Sequence, residues 1–274
     1  MKRWLTAVVV FALCSVAVRA DVTIVQSTTV EGGMASMAGG NNLSPKMTAR
    51  VKGKKMRNDI EAGQNMISTI LDLASKEMIM IRHDQKTATV TSAASAAAKP
   101  SADVTLPVMD TKVAPTGKSQ VIDGIKCDEY SFTTSMNMGE MTGPQMPPEA
   151  AAMMKDMRMN MAGSLWVAKD VPPGAAEYVT FMKEASSSDM AAIAAGASGV
   201  NIPGLDKMMK AMSNVEGMPY LTEMTMTIEG TGQIADMMKQ MGPMKITTRV
   251  TSVKTDPIPD DQFQVPAGYT TIKQ

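Results

Sequence analysis

One histidine, two cysteines and four phenylalanines are a thin supply of reactive and stacking groups for a chain of 274 residues. Each shortage closes off a class of function. His83 stands between Arg82 and Asp84 in "IRHDQK", with no second imidazole to complete a zinc site. It reads as a surface histidine at a turn. The patterns His-Glu-x-x-His, Cys-x-x-Cys and Gly-x-Ser-x-Gly do not occur. Aromatics make up 4% of the residues and no basic stripe accompanies them, so a nucleic-acid partner is not expected. "TGKS" (116–119) echoes a phosphate loop, but Lys112 stands where an earlier glycine is required. The pairs Asp128-Glu129 and Asp260-Asp261 are neighbours in sequence, and neighbours on a strand face opposite ways. They read as solvated charges, not as an acid–base couple. The expectation is a non-enzyme that needs no cofactor.

Long apolar runs are missing as well, except at the start. Lys2 and Arg3 precede "WLTAVVVFALCSVAV", and Val18 and Ala20 suit a cut after Ala20. A lipoprotein cut at Cys14 is the alternative, but Leu13 is large for the position before it. Residues 1–20 are therefore expected to be a cleaved signal peptide, leaving a periplasmic or secreted chain with no transmembrane segment. Lys2, Arg3 and Arg19 depart with it, so 27 basic residues become 24 against 27 acidic ones, a net charge of −3. Cys14 departs too. Cys127 is then alone, cannot form a disulfide within the chain, and sits in phase with Ile125 as a core residue would.

Methionine is what the chain has in excess, 30 residues in all. It is clustered in "MNMGEM" (136–141), "MMKDMRMNM" (153–161), "KMMKAM" (207–212) and "MMKQMGPM" (237–244). A thioether is a soft ligand that selects Cu(I), and it is also a flexible apolar group that fits irregular surfaces.

Around these clusters the pattern is mostly of period two. Val22, Ile24, Thr28 and Val30 alternate with polar residues and predict a strand. Met47–Val51 and Lys55–Ile60 predict two more, turning at Gly53, and the meander continues through 65–75 and 77–91. Residues 92–117 are rich in Ala, Ser and Pro and predict a long flexible loop. Asp123-Gly124, between Val121-Ile122 and Ile125, predicts a tight hairpin. Residues 164–172 and 220–230 read as strands, as does 244–258, followed by an extended tail. A helical middle is expected over 147–217. Met153, Met157 and Met161 recur there at i, i+4 and i+8, and Leu205, Met208, Met209 and Met212 share one side of a later segment. Residues 232–242 predict one or two further helical turns.

"VKGKKMRNDI", "VIDGIKCDEYSF", "LWVAKDVP" and "IPDDQFQVPAGY", in that order, resemble a family of secreted bacterial proteins carrying a domain of unknown function. The resemblance implies the periplasmic lipoprotein-carrier (LolA/LolB-like) fold, an incomplete antiparallel barrel with helices against its apolar concave side. It carries over no catalytic residue. The combined expectation is an α+β domain over 21–274: a curved, mostly antiparallel sheet with Met-rich helices packed on the concave face. Its partner would be an apolar ligand, such as a lipid, an acyl chain or a lipoprotein. The groove would be lined by Met153, Met157, Met161, Leu205, Met208, Met209, Met212, Met224 and Met226. The competing metal reading assigns Met136, Met138, Met141, Met157, Met159 and Met161 to copper. A scaffold that binds no small ligand is the third reading.

Overall fold

Why do so many short segments of this chain choose the extended state? β-Branched residues at alternate positions, broken every eight to twelve residues by Gly or Asp turns, favour strands that pair with their sequence neighbours. The computed structural model of the protein describes residues 21–33, 44–92, 95, 104–105, 108–140, 152, 154–187, 193, 200–201, 211 and 215–273. Six strands form the first meander: β1 (Val22–Glu31), β2 (Lys46–Lys52), β3 (Lys55–Ala62), β4 (Asn65–Asp72), β5 (Glu77–Arg82) and β6 (Thr87–Ser92). After the two-residue β7 (Val104–Thr105) come β8 (Asp110–Ile122), β9 (Ile125–Asn137) and β10 (Arg158–Ala168). Helix α1 (Ala175–Ser187), the two-residue β11 (Val200–Asn201), β12 (Met218–Glu229), helix α2 (Gln233–Gln240), β13 (Met244–Lys254) and β14 (Thr270–Lys273) complete the chain.

Twelve of the strands make one sheet in the order β14-β6-β5-β4-β3-β2-β1-β13-β12-β10-β9-β8. Every pairing in it is antiparallel except β14 with β6. The short strands β7 and β11 pair in parallel apart from it. The seam between the two halves is β1 against β13.

One apolar cluster gathers Val22, Ile24, Ala49, Val51 and Met56 with Ala168, Met218, Tyr220 and Val250, and adds Phe181 and Ala185 from α1. Met56 on β3 and Ile122 on β8, both in this cluster, belong to strands seven positions apart in the sheet, roughly 34 Å if the sheet were flat. Their shared cluster fits a curved, open sheet with α1 lying against β1 and β2. A buried Val or Ile here contributes about 1.5–3 kcal/mol relative to leaving it exposed.

The opposite face of β3–β6 is covered by the end of the chain. Ile258 and Phe263 bury themselves against Ile70, Ile81 and Ala88, and Val265 and Tyr269 pack beside them. The expected extended tail is not extended throughout: residues 260–263 form a short 3-10 turn, and β14 then adds itself beside β6.

The Asp123-Gly124 hairpin forms as expected, with positive φ at both turn residues (52° and 81°). Two other expectations need correction. Residues 110–117, read as part of the loop over 92–117, belong to the edge strand β8. Its Pro115-Thr116-Gly117-Lys118 stretch is a register break opposite β9, not a turn. Within the expected helical middle at 147–217, residues 158–168 form β10 between β9 and β12. Met159 and Met161 are therefore strand residues, and the helical stripe Met153–Met157–Met161 does not exist as such. Helix α1 does fall in that middle, and α2 matches the helical turns expected near 232–242.

Candidate functional site

Strand alternation, followed across the register, shows where the methionines go. On β10, Met159 and Met161 project to one face. Met159 lies opposite Met136 of β9 on one side and Ile228 of β12 on the other. Met161 lies opposite Met226, and Met226 opposite Met244 of β13. The next row is Phe132, Gly163, Met224 and Ile246. Directly opposed side chains on antiparallel strands stand about 4.5–5.5 Å apart at Cβ, so these rows are continuous apolar contact surfaces.

The same face continues through the seam. Thr28 and Thr248 meet there, hydroxyl to hydroxyl, at 2.9 Å. Beyond them the register runs from Gln26 to Met47, Ile60 and Ile67. Ile60 and Ile67 are 39% and 41% exposed, so the apolar surface stays open to water at this end.

Helix α2 packs on β12 and encloses one end of the methionine rows. Gly33, Met226, Ile228, Met238, Met241, Gly242 and Met244 line a small hollow of about 50 Å³, open to solvent on one side. Gly33 helps to keep it open, because a Cβ there would come within 3.1 Å of Met244 Cβ. Among the described residues, none that lines the hollow carries a carboxylate, imidazole or thiol.

Of the groove residues expected from sequence, Met161, Met224 and Met226 share the face just described, and Met157 is buried immediately before β10. Met153, Leu205, Met208, Met209 and Met212 lie outside the described residues. Of the alternative copper set, Met136, Met159 and Met161 cluster on adjacent strands. Met138 begins a 3-10 turn, its N–H donating to the Met157 carbonyl at 2.8 Å, and Met141 lies outside the described residues. Met238, Met241 and Met244 were missed. The cluster "MMKQMGPM" was visible, but nothing local shows that Gly242-Pro243 turns the chain from a helix back over a strand beside Met226.

A second feature went unseen. His83 is not a free surface residue. Its Nε2 lies 2.8 Å from Ser68 Oγ and its Nδ1 2.9 Å from the Tyr269 hydroxyl. Ser68 is fully buried; its hydroxyl donates to Asp59 and accepts from Arg57 Nη2 at 3.1 Å. Arg57 Nε donates to Asp59 at 2.7 Å and its Nη1 to the Gln262 carbonyl at 3.0 Å, while Arg50 pairs with the other Asp59 oxygen. A hydroxyl donates once and accepts twice, so Ser68 must receive its third bond from His83 Nε2–H. The histidine is thereby the Nε2–H tautomer, and Tyr269 donates to its Nδ1. Burial first, and then the charge of Arg57, lower the His83 pKa below its ordinary 6.5, against the pull of Asp59 and Asp84. Burial alone would raise the Asp59 carboxyl, but the bonds from Ser68 and Arg57 and the charges of Arg57 and Arg50 hold it below 3.8. Two of these bonds, Arg57 to Gln262 and His83 to Tyr269, fasten the C-terminal segment to this part of the sheet.

The carboxylates need one correction. Asp128 pairs at the surface with Lys169 at 2.9 Å and accepts from Ser119. Glu129, expected to be solvated, is 7% exposed and accepts from Ser164 and Thr116, each at 2.7 Å, with Lys118 at 3.3 Å. Those bonds, Ser164 first, keep its pKa below the ordinary 4.5. Thr116 and Lys118 of "TGKS" thus serve a buried carboxylate. Cys127 is fully buried and packs in the main core, as expected. Among the described residues, no group of three or more His, Cys, Asp or Glu is gathered to hold a metal ion, and no helix is long and apolar enough to cross a membrane.

Residues 31–143 match the model of a family described as a domain of unknown function (DUF4412). The match takes in Arg57, Asp59, Ser68 and His83 and ends before β10. No curated protein matches the chain. Among solved structures, the crystal structure of an uncharacterized conserved protein from Thermus thermophilus is similar with a TM-score of 0.34 and 7% identity, covering 93% of this chain and 91% of that one. The family match agrees with the resemblance to a domain of unknown function. The likeness to lipoprotein carriers rests on the sequence motifs alone.

Proposed function

We propose that the chain is an exported, non-catalytic envelope protein that binds an apolar ligand, such as a lipid, an acyl chain or the lipid of a lipoprotein. Residues 1–20 direct the export. The ligand lies against the methionine face of the sheet, and the helices over that side help to enclose it. The observation that carries the reading is the row of half-buried thioethers on neighbouring strands, Met161–Met226–Met244, with the open apolar edge at Ile60 and Ile67. Unbranched, polarizable side chains adapt to acyl chains of varying shape, where a jigsaw of branched residues would select one shape. The lipoprotein-carrier likeness of the motifs points to the same class of ligand.

The test is native mass spectrometry of the mature chain purified from envelope extract, followed by displacement of a fluorescent fatty acid. Co-purifying lipid masses and a displaceable probe are expected. Changing Met161 and Met224 to Asn should weaken the probe, because an amide in an apolar groove has no partner there. A chain that carries no lipid and displaces no probe would sink the reading. The export claim is tested separately, by following where a reporter fused to residues 1–20 accumulates.

A further inference from the structure

The hollow beneath α2 has a lining that packing alone does not explain. A core position asks only for an apolar group of the right volume, and close-packed interiors leave little space unfilled. Here four of the five side chains longer than glycine's hydrogen are methionines, the fifth is Ile228, and the space between them stays open. The four thioethers come from three separate elements. Met226 and Met244 face each other across β12 and β13. Met238 and Met241, three residues apart at the end of α2, share a side of the helix. Each has three rotatable bonds, so the sulfurs can re-aim within the hollow without moving the backbone.

We propose that this hollow is a thioether site for Cu(I), with Met226, Met238, Met241 and Met244 as its ligands. Thioethers are soft and neutral. Softness selects Cu(I) over Zn(II), Cu(II) or the hard dications, which look for imidazole, thiolate or carboxylate and find none on these walls. Neutrality favours a monovalent ion, because the desolvation cost of an uncompensated charge rises steeply with its magnitude. The site differs from the copper set that spacing alone picks out at 136–161. Met161, opposite Met226, belongs to that set and stands beside this site. The inference goes beyond the apolar-ligand reading and does not rest on it.

The mature chain is titrated with Cu(I), anaerobically and under reducing conditions, in competition with a chromogenic Cu(I) chelator. The chain should withdraw about one equivalent from the chelator, and X-ray absorption should show a sulfur-only shell. Met238→Leu with Met241→Leu should weaken binding about tenfold or more, a difference of about 1.4 kcal/mol at the least. Met226→Leu with Met244→Leu should do the same, while Met80→Leu on β5 should leave it unchanged. Leucine conserves volume, and circular dichroism checks that each variant is folded. Fluorescent fatty-acid binding is measured on the same variants as a separate readout, so that failure of the copper site and failure of the apolar-ligand reading are told apart. No copper withdrawn from the chelator, a nitrogen or oxygen shell, or folded Leu variants that bind as tightly as the parent would each overturn the proposal.

Discussion

Tyr269 donates its hydroxyl proton to His83 Nδ1 at 2.9 Å across 186 residues of sequence, and the two rings stand edge to face with centroids 5.6 Å apart. His83 makes the stability of the fold depend on pH, because burial and then the charge of Arg57 hold its folded pKa below 6.5. The unfolded histidine takes up a proton near 6.5, whereas the folded one does so only at a lower pH. The unfolded state therefore binds more protons in that window. The contribution is complete above 6.5 and is lost as pH falls through the depressed native value. Urea midpoints measured from about pH 8 to about pH 5 should fall across this window, and in His83→Gln they should fall much less. Equal slopes in parent and variant would mean that folding does not lower the pKa of His83. A second loss is expected below 3.8, when Asp59 protonates.

Asp59 answers two guanidinium groups, and both it and Arg57 are under 10% exposed. Asp59→Asn keeps the shape and removes the charge, leaving buried cations uncompensated. A loss of about 3–5 kcal/mol is expected by denaturant titration. A loss below about 1 kcal/mol would mean that the network is worth no more than a surface pair.

Thr91 is fully buried, and its hydroxyl has no hydrogen-bond partner among the described residues. Valine has nearly the same shape and no donor to strand. Thr91→Val should leave stability unchanged or raise it by about 1 kcal/mol. A clear drop in the thermal midpoint would reveal a partner for the hydroxyl.

Gly163 lets β10 and β12 approach closely. A Cβ at this position would lie 1.9 Å from the Glu223 carbonyl oxygen, which is backbone and cannot step aside cheaply. Gly163→Ala should cost about 3 kcal/mol or more and should disturb the amide signals of Met224 and Met226 on the neighbouring strand. Unchanged signals there would show that the sheet absorbs the methyl group elsewhere.

Cys127 should not react. Burial, and then the charges of Asp128 and Asp123, push its thiol above the ordinary 9.0, and the S–H points to the Ile125 carbonyl at 3.6 Å. A chromogenic thiol reagent should label it only as fast as the chain unfolds. Prompt labelling of the folded protein would place the thiol at the surface.

What could be read from the sequence was what depends on near neighbours. Asp123-Gly124 specifies its hairpin within a few residues, and β2 to β6 follow from alternation and short turns. The methionine run was ambiguous by arithmetic: Met153, Met157 and Met161 fit a helix, while Met157, Met159 and Met161 equally fit a strand. Pairing with Met136 and Met226 settles it, and neither partner is local. Pro115-Thr116-Gly117 has the composition of a turn, and only the line of β9 beside it makes it a break in an edge strand. The same holds for both clusters of side chains. The hollow needs α2 folded over β12, and the Arg57–Asp59–Ser68–His83 network needs Tyr269 brought back from the far end. The motifs around Arg57 and Tyr269 were noticed, but their meeting was not.

The seam of the sheet has a consequence for assembly in time. β1 takes its outer partner from β13, and β6 takes its outer neighbour from β14, so both flanks of the first meander are supplied by strands made after the rest of the sheet. Contacts between such distant segments form late, because the intervening chain must be drawn closed before the pairing repays it. An emerging chain therefore holds a half-built sheet with two raw edges until residues 244–273 arrive. The first meander is closed on both sides only once residues 244–273 have been made, and whatever keeps those edges apart until then is part of how it folds.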